Sequence, residues 1–150
     1  MRKTNSTILA AALVMFSCMS AWYVSAGDRR PTAATVEGVW DIEGIDELGT
    51  RWIGTMGLTG SCRSELTGYV DWIGDDGHCG REYLTARFDQ TSRHLKLAGV
   101  STKFADRIVK GNYSASLSGR GTQLRDGTWG SGVDRNGVPG HWSARRLLAK

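Results

Sequence analysis

The sequence predicts an all-β domain, an eight-stranded antiparallel up-and-down barrel, with a two-sheet β-sandwich as the alternative. Three observations carry that expectation. A Gly-x-Trp step stands at both ends of the folded part, as Gly38-Val39-Trp40 and Gly140-His141-Trp142, which suits a sheet whose first and last strands meet. All 20 glycines lie beyond residue 26, about twice the ~7% background, and glycine at that density punctuates short strands rather than long helices. Between the two steps the chain runs in short alternating stretches with no sustained helical period.

Residues 1–26 precede the domain and have the three parts of a secretory signal: Arg2 and Lys3, an apolar run from Ile8 to Phe16, and the small-residue cleavage site Val24-Ser25-Ala26. The apolar run is about half the ~20 residues that a membrane-spanning helix needs. No stable membrane span is expected, and the mature chain is expected to start at Gly27. A rival reading makes Cys18 the lipid-modified first residue of a bacterial lipoprotein, but the bulky Phe16 stands where such sites hold small residues. The expected location is therefore exported, periplasmic or secreted. Removing the leader takes two of the 19 basic groups and none of the 15 acidic ones, so the net charge falls from +4 to +2. Without a Lys/Arg run, nucleic-acid binding is disfavoured. Residues 27–150 are enough for one barrel domain, its core spanning about 36–147.

Eight strands are expected, near 36–43, 51–58, 65–73, 81–88, 93–100, 107–117, 122–130 and 140–147. Side chains two apart share a face of a strand. On that rule the first strand aligns Trp40 with Ile42, the second Trp52, Met56 and Leu58, and the third Leu66, Val70 and Trp72. The fourth aligns Leu84, Ala86 and Phe88, the fifth Leu95 and Leu97, and the sixth Val109, Tyr113, Ala115 and Leu117. The opposite face carries Arg51, Glu65, Asp71, Arg87, Lys96 and Lys110, as in an antiparallel sheet with one wet side. Asp75-Asp76-Gly77, Gly119-Arg120-Gly121 and Arg135-Asn136-Gly137 supply residues that tolerate positive φ at chain reversals. Closing such a meander into a barrel removes its sticky edges.

With an early Gly-x-Trp, an eight-strand meander and a basic residue on the last strand, the chain resembles the lipocalin-like (calycin) group. The resemblance implies that Trp40 closes the barrel floor and that Arg145 or Arg146 packs across it, with Trp142 opening the strand that completes the closure. A third copy of the step, Gly127-Thr128-Trp129, makes the motif less specific. The stretches Gly80-Arg81-Glu82-Tyr83-Leu84, Arg93-His94-Leu95-Lys96-Leu97 and Trp142-Ser143-Ala144-Arg145 also resemble exported bacterial domains that carry no assigned activity.

Cys62 and Cys79 are the two cysteines left after cleavage, and an even pair in an exported chain points to a disulfide. The strand map opposes it by setting the two at opposite ends of the third strand, so either that strand bends near Gly68 or Gly74, or the thiols are free or pair between chains. His78, His94 and His141 with the cysteines lack the close ligand pairs of a structural zinc site, and no metal is expected. Asp71, Asp75, Asp76 and Glu82 gather around one turn but lack the EF-hand pattern and read as a solvated hairpin. No G-x-S-x-G elbow is present, Gly119-Arg120-Gly121 and Gly130-Ser131-Gly132 read as turns, and Asn112-Tyr113-Ser114 reads as a chance sequon. Neither catalysis nor a cofactor is expected.

The aromatics are the remaining candidates. Trp52, Trp72, Tyr83, Tyr113 and Trp129 are read as the lining of a ligand cup. Against this, an eight-stranded barrel is just wide enough for its own side chains to fill it, and both interiors stay open. The function expected is an exported, non-enzymatic barrel binding a small apolar molecule in its mouth. The alternative is a protein-interaction module, such as an envelope-associated inhibitor or a toxin-neutralising protein with an exported partner.

Overall fold

The computed structural model describes residues 35–62, 65–131 and 137–147. Eight strands follow one another: β1 (Gly38–Asp46), β2 (Arg51–Cys62), β3 (Glu65–Gly74), β4 (Cys79–Asp89), β5 (His94–Lys103), β6 (Gly111–Leu117), β7 (Gln123–Ser131) and β8 (Gly140–Arg146). Each pairs antiparallel with its neighbour in sequence, and β8 returns to β1 with Ile42 opposite Ala144 and Gly44 opposite Trp142. The sheet is thus a closed barrel rather than a sandwich. Among the described residues no helix is long and apolar enough to cross a membrane. The leader, the Cys18 alternative, and the Arg135-Asn136 part of the last turn lie outside the described residues.

The alternation anticipated from the sequence sets the two faces. Trp40, Ile42, Met56, Leu58, Leu66, Val70, Trp72, Leu84, Ala86, Phe88, Leu95, Leu97, Ala115 and Leu117 point inward and are buried. Arg51, Glu65, Arg87 and Lys96 point outward. The reversals use the residues that suit them: Gly49, Gly77 and Gly121 take φ of 89°, 88° and 71°, a region that glycine enters without a Cβ clash. At the first hairpin Asp46 Oδ1 accepts the backbone N–H of Leu48 and Thr50 at 3.0 and 2.9 Å, standing in for turn hydrogen bonds.

β6 starts four residues later than the expected 107. Phe104 and Arg107 take φ of 51° and 61°, a left-handed backbone outside the extended region of a strand. Residues 104–110 instead form a strap at the barrel mouth. Asp106 donates its backbone N–H to the Cys79 carbonyl at 3.0 Å, and its carboxylate meets His78 Nδ1 at 2.8 Å. A Cβ on Gly80 would lie 2.6 Å from Ala105 Cα, so a larger residue there would push the strap off the barrel.

The two ends of the barrel differ. The end holding the start of β1 and the end of β8 is packed solid with Val36, Trp40, Leu58, Leu66, Phe88, Leu95, Leu117 and Leu124. Trp40 is fully buried and donates its indole N–H to the Val36 carbonyl at 2.9 Å. The Arg146 guanidinium lies 4.3 Å over the Trp40 ring, donates Nε to the Gly121 carbonyl at 2.9 Å, and reaches the carbonyls of Glu37 and Thr35. Of the two arginines open to that role, Arg146 takes it; Arg145 is exposed, because adjacent strand residues face opposite ways. Trp142 does sit on the closing strand, but its ring packs edge-on to Tyr113, 6.4 Å between centroids, away from the floor.

The expected intramolecular disulfide is not formed. Cys62 pairs in register with Glu65 and Cys79 with Ile73, which puts the two backbones at opposite ends of β3, on the order of 26 Å apart at ~3.3 Å per residue. A bridge needs Cα atoms within ~7 Å. β3 stays intact through Gly68 to Gly74, and Cys79 is a free, exposed thiol.

Candidate functional site

At the other end, ringed by the β1–β2, β3–β4 and β5–β6 connections, the barrel opens into a cup of about 450 Å³. Its walls are Trp52 from β2, Trp72 from β3, Tyr113 from β6 and Trp129 from β7, with Ile108 and Val109 of the strap along one side. The rim carries Asp46, Thr50, Asp76 and Arg107. Four of the five aromatic residues expected to line a cup are therefore brought together. The fifth, Tyr83, is not: it sits directly opposite Tyr69 on the outer wall and is exposed. Its neighbours Glu82 and Leu84 face inward, so the two-residue alternation sends Tyr83 out.

Sequence reading left the filled interior and the cup as rivals, and the barrel is both. It is packed at the floor and hollow at the mouth. Trp72 and Tyr113 stack with rings 21° from parallel and centroids 6.4 Å apart, Trp72 and Trp129 meet at 5.7 Å, and Trp142 lies beneath Tyr113. Glycines on the neighbouring strands β8 and β1 make room for the Trp129 ring. A Cβ on Gly140 would lie 2.3 Å from the Trp129 ring, and one on Gly44 2.4 Å from it. Those glycines seat the indole against the wall instead of narrowing the space, as a side chain there would.

Hydrogen bonds fix the aromatic walls. Trp52 donates its indole N–H to Asp46 Oδ2 at 3.1 Å, Trp129 to the Val138 carbonyl at 2.8 Å, and Trp142 to the Thr128 carbonyl at 3.1 Å. The Tyr113 hydroxyl donates to Glu82 Oε2. Glu82 is a completely buried acid on β4, and its Oε1 also accepts the backbone N–H of Gly111 at 2.8 Å. It occupies a niche cleared by glycine: a Cβ on Gly99 would fall 1.9 Å from Oε1. Burial pushes the Glu82 carboxyl up to about 7, against the opposing pull of its hydrogen bonds from Tyr113 and Gly111. Burial likewise raises the Tyr113 phenol, helped by the neighbouring Glu82 charge.

Glu82 is the residue that sequence reasoning misplaced, as part of a solvated acidic hairpin. The signal was present: Glu82 shares parity with Leu84, Ala86 and Phe88, and the same count that buries those three buries it. The other acids of that group do stay outside. Asp71 forms a two-point ion pair with Arg81, both contacts 2.6 Å, and Asp75 and Asp76 sit in the turn. His78 touches Asp106 and Asp76, while His141 faces outward on β8. Among the described residues no group of three or more His, Cys, Asp or Glu is placed to hold a metal ion.

A larger depression, about 640 Å³, lies across the outer wall of β3 to β6. Its rim is charged, with Glu65, Arg87 and Lys96, and its bed includes Thr67, Thr85, Ala98 and Ser114. It lies on the wet face, so the smaller mouth cup with its four aromatic walls is the better ligand site.

No protein-family model and no curated protein matches the chain. Solved structures do. The redesigned β-barrel mFAP1 bound to DFHBI matches with a TM-score of 0.62 at 18% identity, over 77% of this chain and 100% of that one. EF1p2_mFAP2b bound to DFHBI matches with a TM-score of 0.59 at 13% identity, over 74% of this chain and 93% of the other. A fluorescence-activating β-barrel designed de novo gives 0.54 at 13% identity, over 77% of this chain and 96% of that one. At these identities the likeness is one of fold.

Proposed function

We propose that this protein is an exported, non-enzymatic barrel that binds a small, mostly apolar molecule in its mouth. The observation that carries the reading is the cup itself. At about 450 Å³ it exceeds the ~300 Å³ at the low end of small-molecule sites, and Trp52, Trp72, Tyr113 and Trp129 wall it. Two neighbours of the same fold, mFAP1 and EF1p2_mFAP2b, are described as bound to DFHBI, which is consistent with a barrel of this size holding a small ligand. Export rests on the tripartite leader of residues 1–26.

A second reading is favoured by two loop tips. Leu48 and Phe104 stand on loops at the mouth with 79% and 82% of their surface exposed, apolar side chains that a protein docked over the mouth would cover. Native mass spectrometry of the protein purified from its exported fraction, run beside a partner pull-down, separates the two. A small molecule that copurifies and is lost in Trp72→Ala supports the cup. A protein partner retained by Trp72→Ala and lost in Leu48→Asp/Phe104→Asp supports the module and overturns the cup.

A further inference from the structure

The cup offers its contents an unequal set of polar groups. Several of its donors are spent: the Trp52 and Trp129 indole N–H groups bond Asp46 and Val138, and the Tyr113 hydroxyl donates to Glu82. The space is walled by aromatic rings with their negative π surfaces, and the charged groups at its rim are two carboxylates against one guanidinium. The carboxylates are held in place. Asp46 is tied by Leu48, Thr50 and Trp52, and Asp76 accepts the His78 backbone N–H at 3.1 Å. Arg107, the opposing cation, sits exposed on the strap.

From this charge pattern we infer that the ligand is a flat aromatic cation, a delocalised positive charge carried on a fused ring system that lies against the aromatic walls of the cup. The inference rests on the mouth being the ligand site. An aromatic ring attracts a cation over its face through its quadrupole, and the attraction grows where water is excluded; Trp52, Trp72, Tyr113 and Trp129 wall the cup. Asp46 and Asp76 then lie where the charge emerges. A neutral isostere would keep the apolar contact and lose both terms. An anion would meet the π faces and two like charges.

Three probes of one shape and different charge test this: 1-methylquinolinium, 1-methylnaphthalene and 1-naphthoate, each titrated into the full-length protein by equilibrium dialysis. The cation is expected to bind about tenfold tighter than the neutral probe, and the anion weakest. Asp76→Asn should shrink the preference for the cation over the neutral probe, and Arg107→Ala should enlarge it. Equal binding of cation and neutral probe, an anion preference, or ratios that neither variant moves would overturn the cation inference while leaving the cup standing. Failure of all three probes to bind would overturn both.

Discussion

Replacing Glu82 by Gln separates the charge of the buried acid from its shape. Gln keeps an oxygen for the Gly111 N–H and an amide facing the Tyr113 hydroxyl, within the niche beside Gly99. It cannot titrate. In the wild-type barrel the carboxyl moves from its ordinary 4.5 to about 7. Between those values the folded state holds more protons than the unfolded one, so stability falls as pH rises. The contribution is whole below about 4.5 and gone above about 7, and a change of that size corresponds to about 3 kcal/mol. Guanidinium unfolding followed by tryptophan fluorescence, repeated from acid to mildly alkaline pH on both proteins, gives the difference curve. Titrations shared by both proteins cancel in it. The wild type is expected to lose about 3 kcal/mol relative to Glu82→Gln across the window. A difference that stays flat with pH would refute a buried, protonated Glu82.

Three further substitutions test the ends of the barrel. Arg146→Met should lose roughly 2 to 3 kcal/mol, since it removes the cation over Trp40 and leaves carbonyls of Gly121, Glu37 and Thr35 without a donor, whereas exposed Arg145→Met should stay within about 0.5 kcal/mol; equal effects in thermal melts would contradict the floor assignment. Gly140→Ala would bring a Cβ to 2.3 Å from Trp129 and 2.5 Å from the Ile45 carbonyl, costing ~1 to 3 kcal/mol and tilting the indole into the cup. A variant with wild-type melting and unchanged Trp129 indole resonance would show that the wall is not tight there.

The fold was legible because period-two alternation, read from residues such as Leu84, Ala86 and Phe88, is the direct image of a strand with one wet face. The same rule would have placed Tyr83 outside and Glu82 inside, but residue type competed with position: an aromatic was read as lining and an acid as surface. Arg146 over Arg145 follows from the same alternation, since Arg146 shares a face with Trp142 and Ala144, but the family resemblance asked only for a basic residue on the last strand. The start of β6 was hidden because Phe104 and Arg107 adopt left-handed φ without glycine to announce it. The separation of Cys62 and Cys79 was visible in the strand map, and geometry outweighed the habit of pairing exported cysteines. The cup itself depends on where glycine clears space, and Gly44 and Gly140 acquire that role only once Trp129 lies across them.

The central claim is that ligands enter at the mouth and not at the floor or the outer wall. Titrating 1-methylnaphthalene into the ¹⁵N-labelled protein and following the indole N–H resonances tests it in one spectrum series. Saturable shifts at Trp52, Trp72 and Trp129, with Trp40 unmoved, are the predicted result. Shifts at Trp40 instead, or none at the three cup indoles, would contradict it.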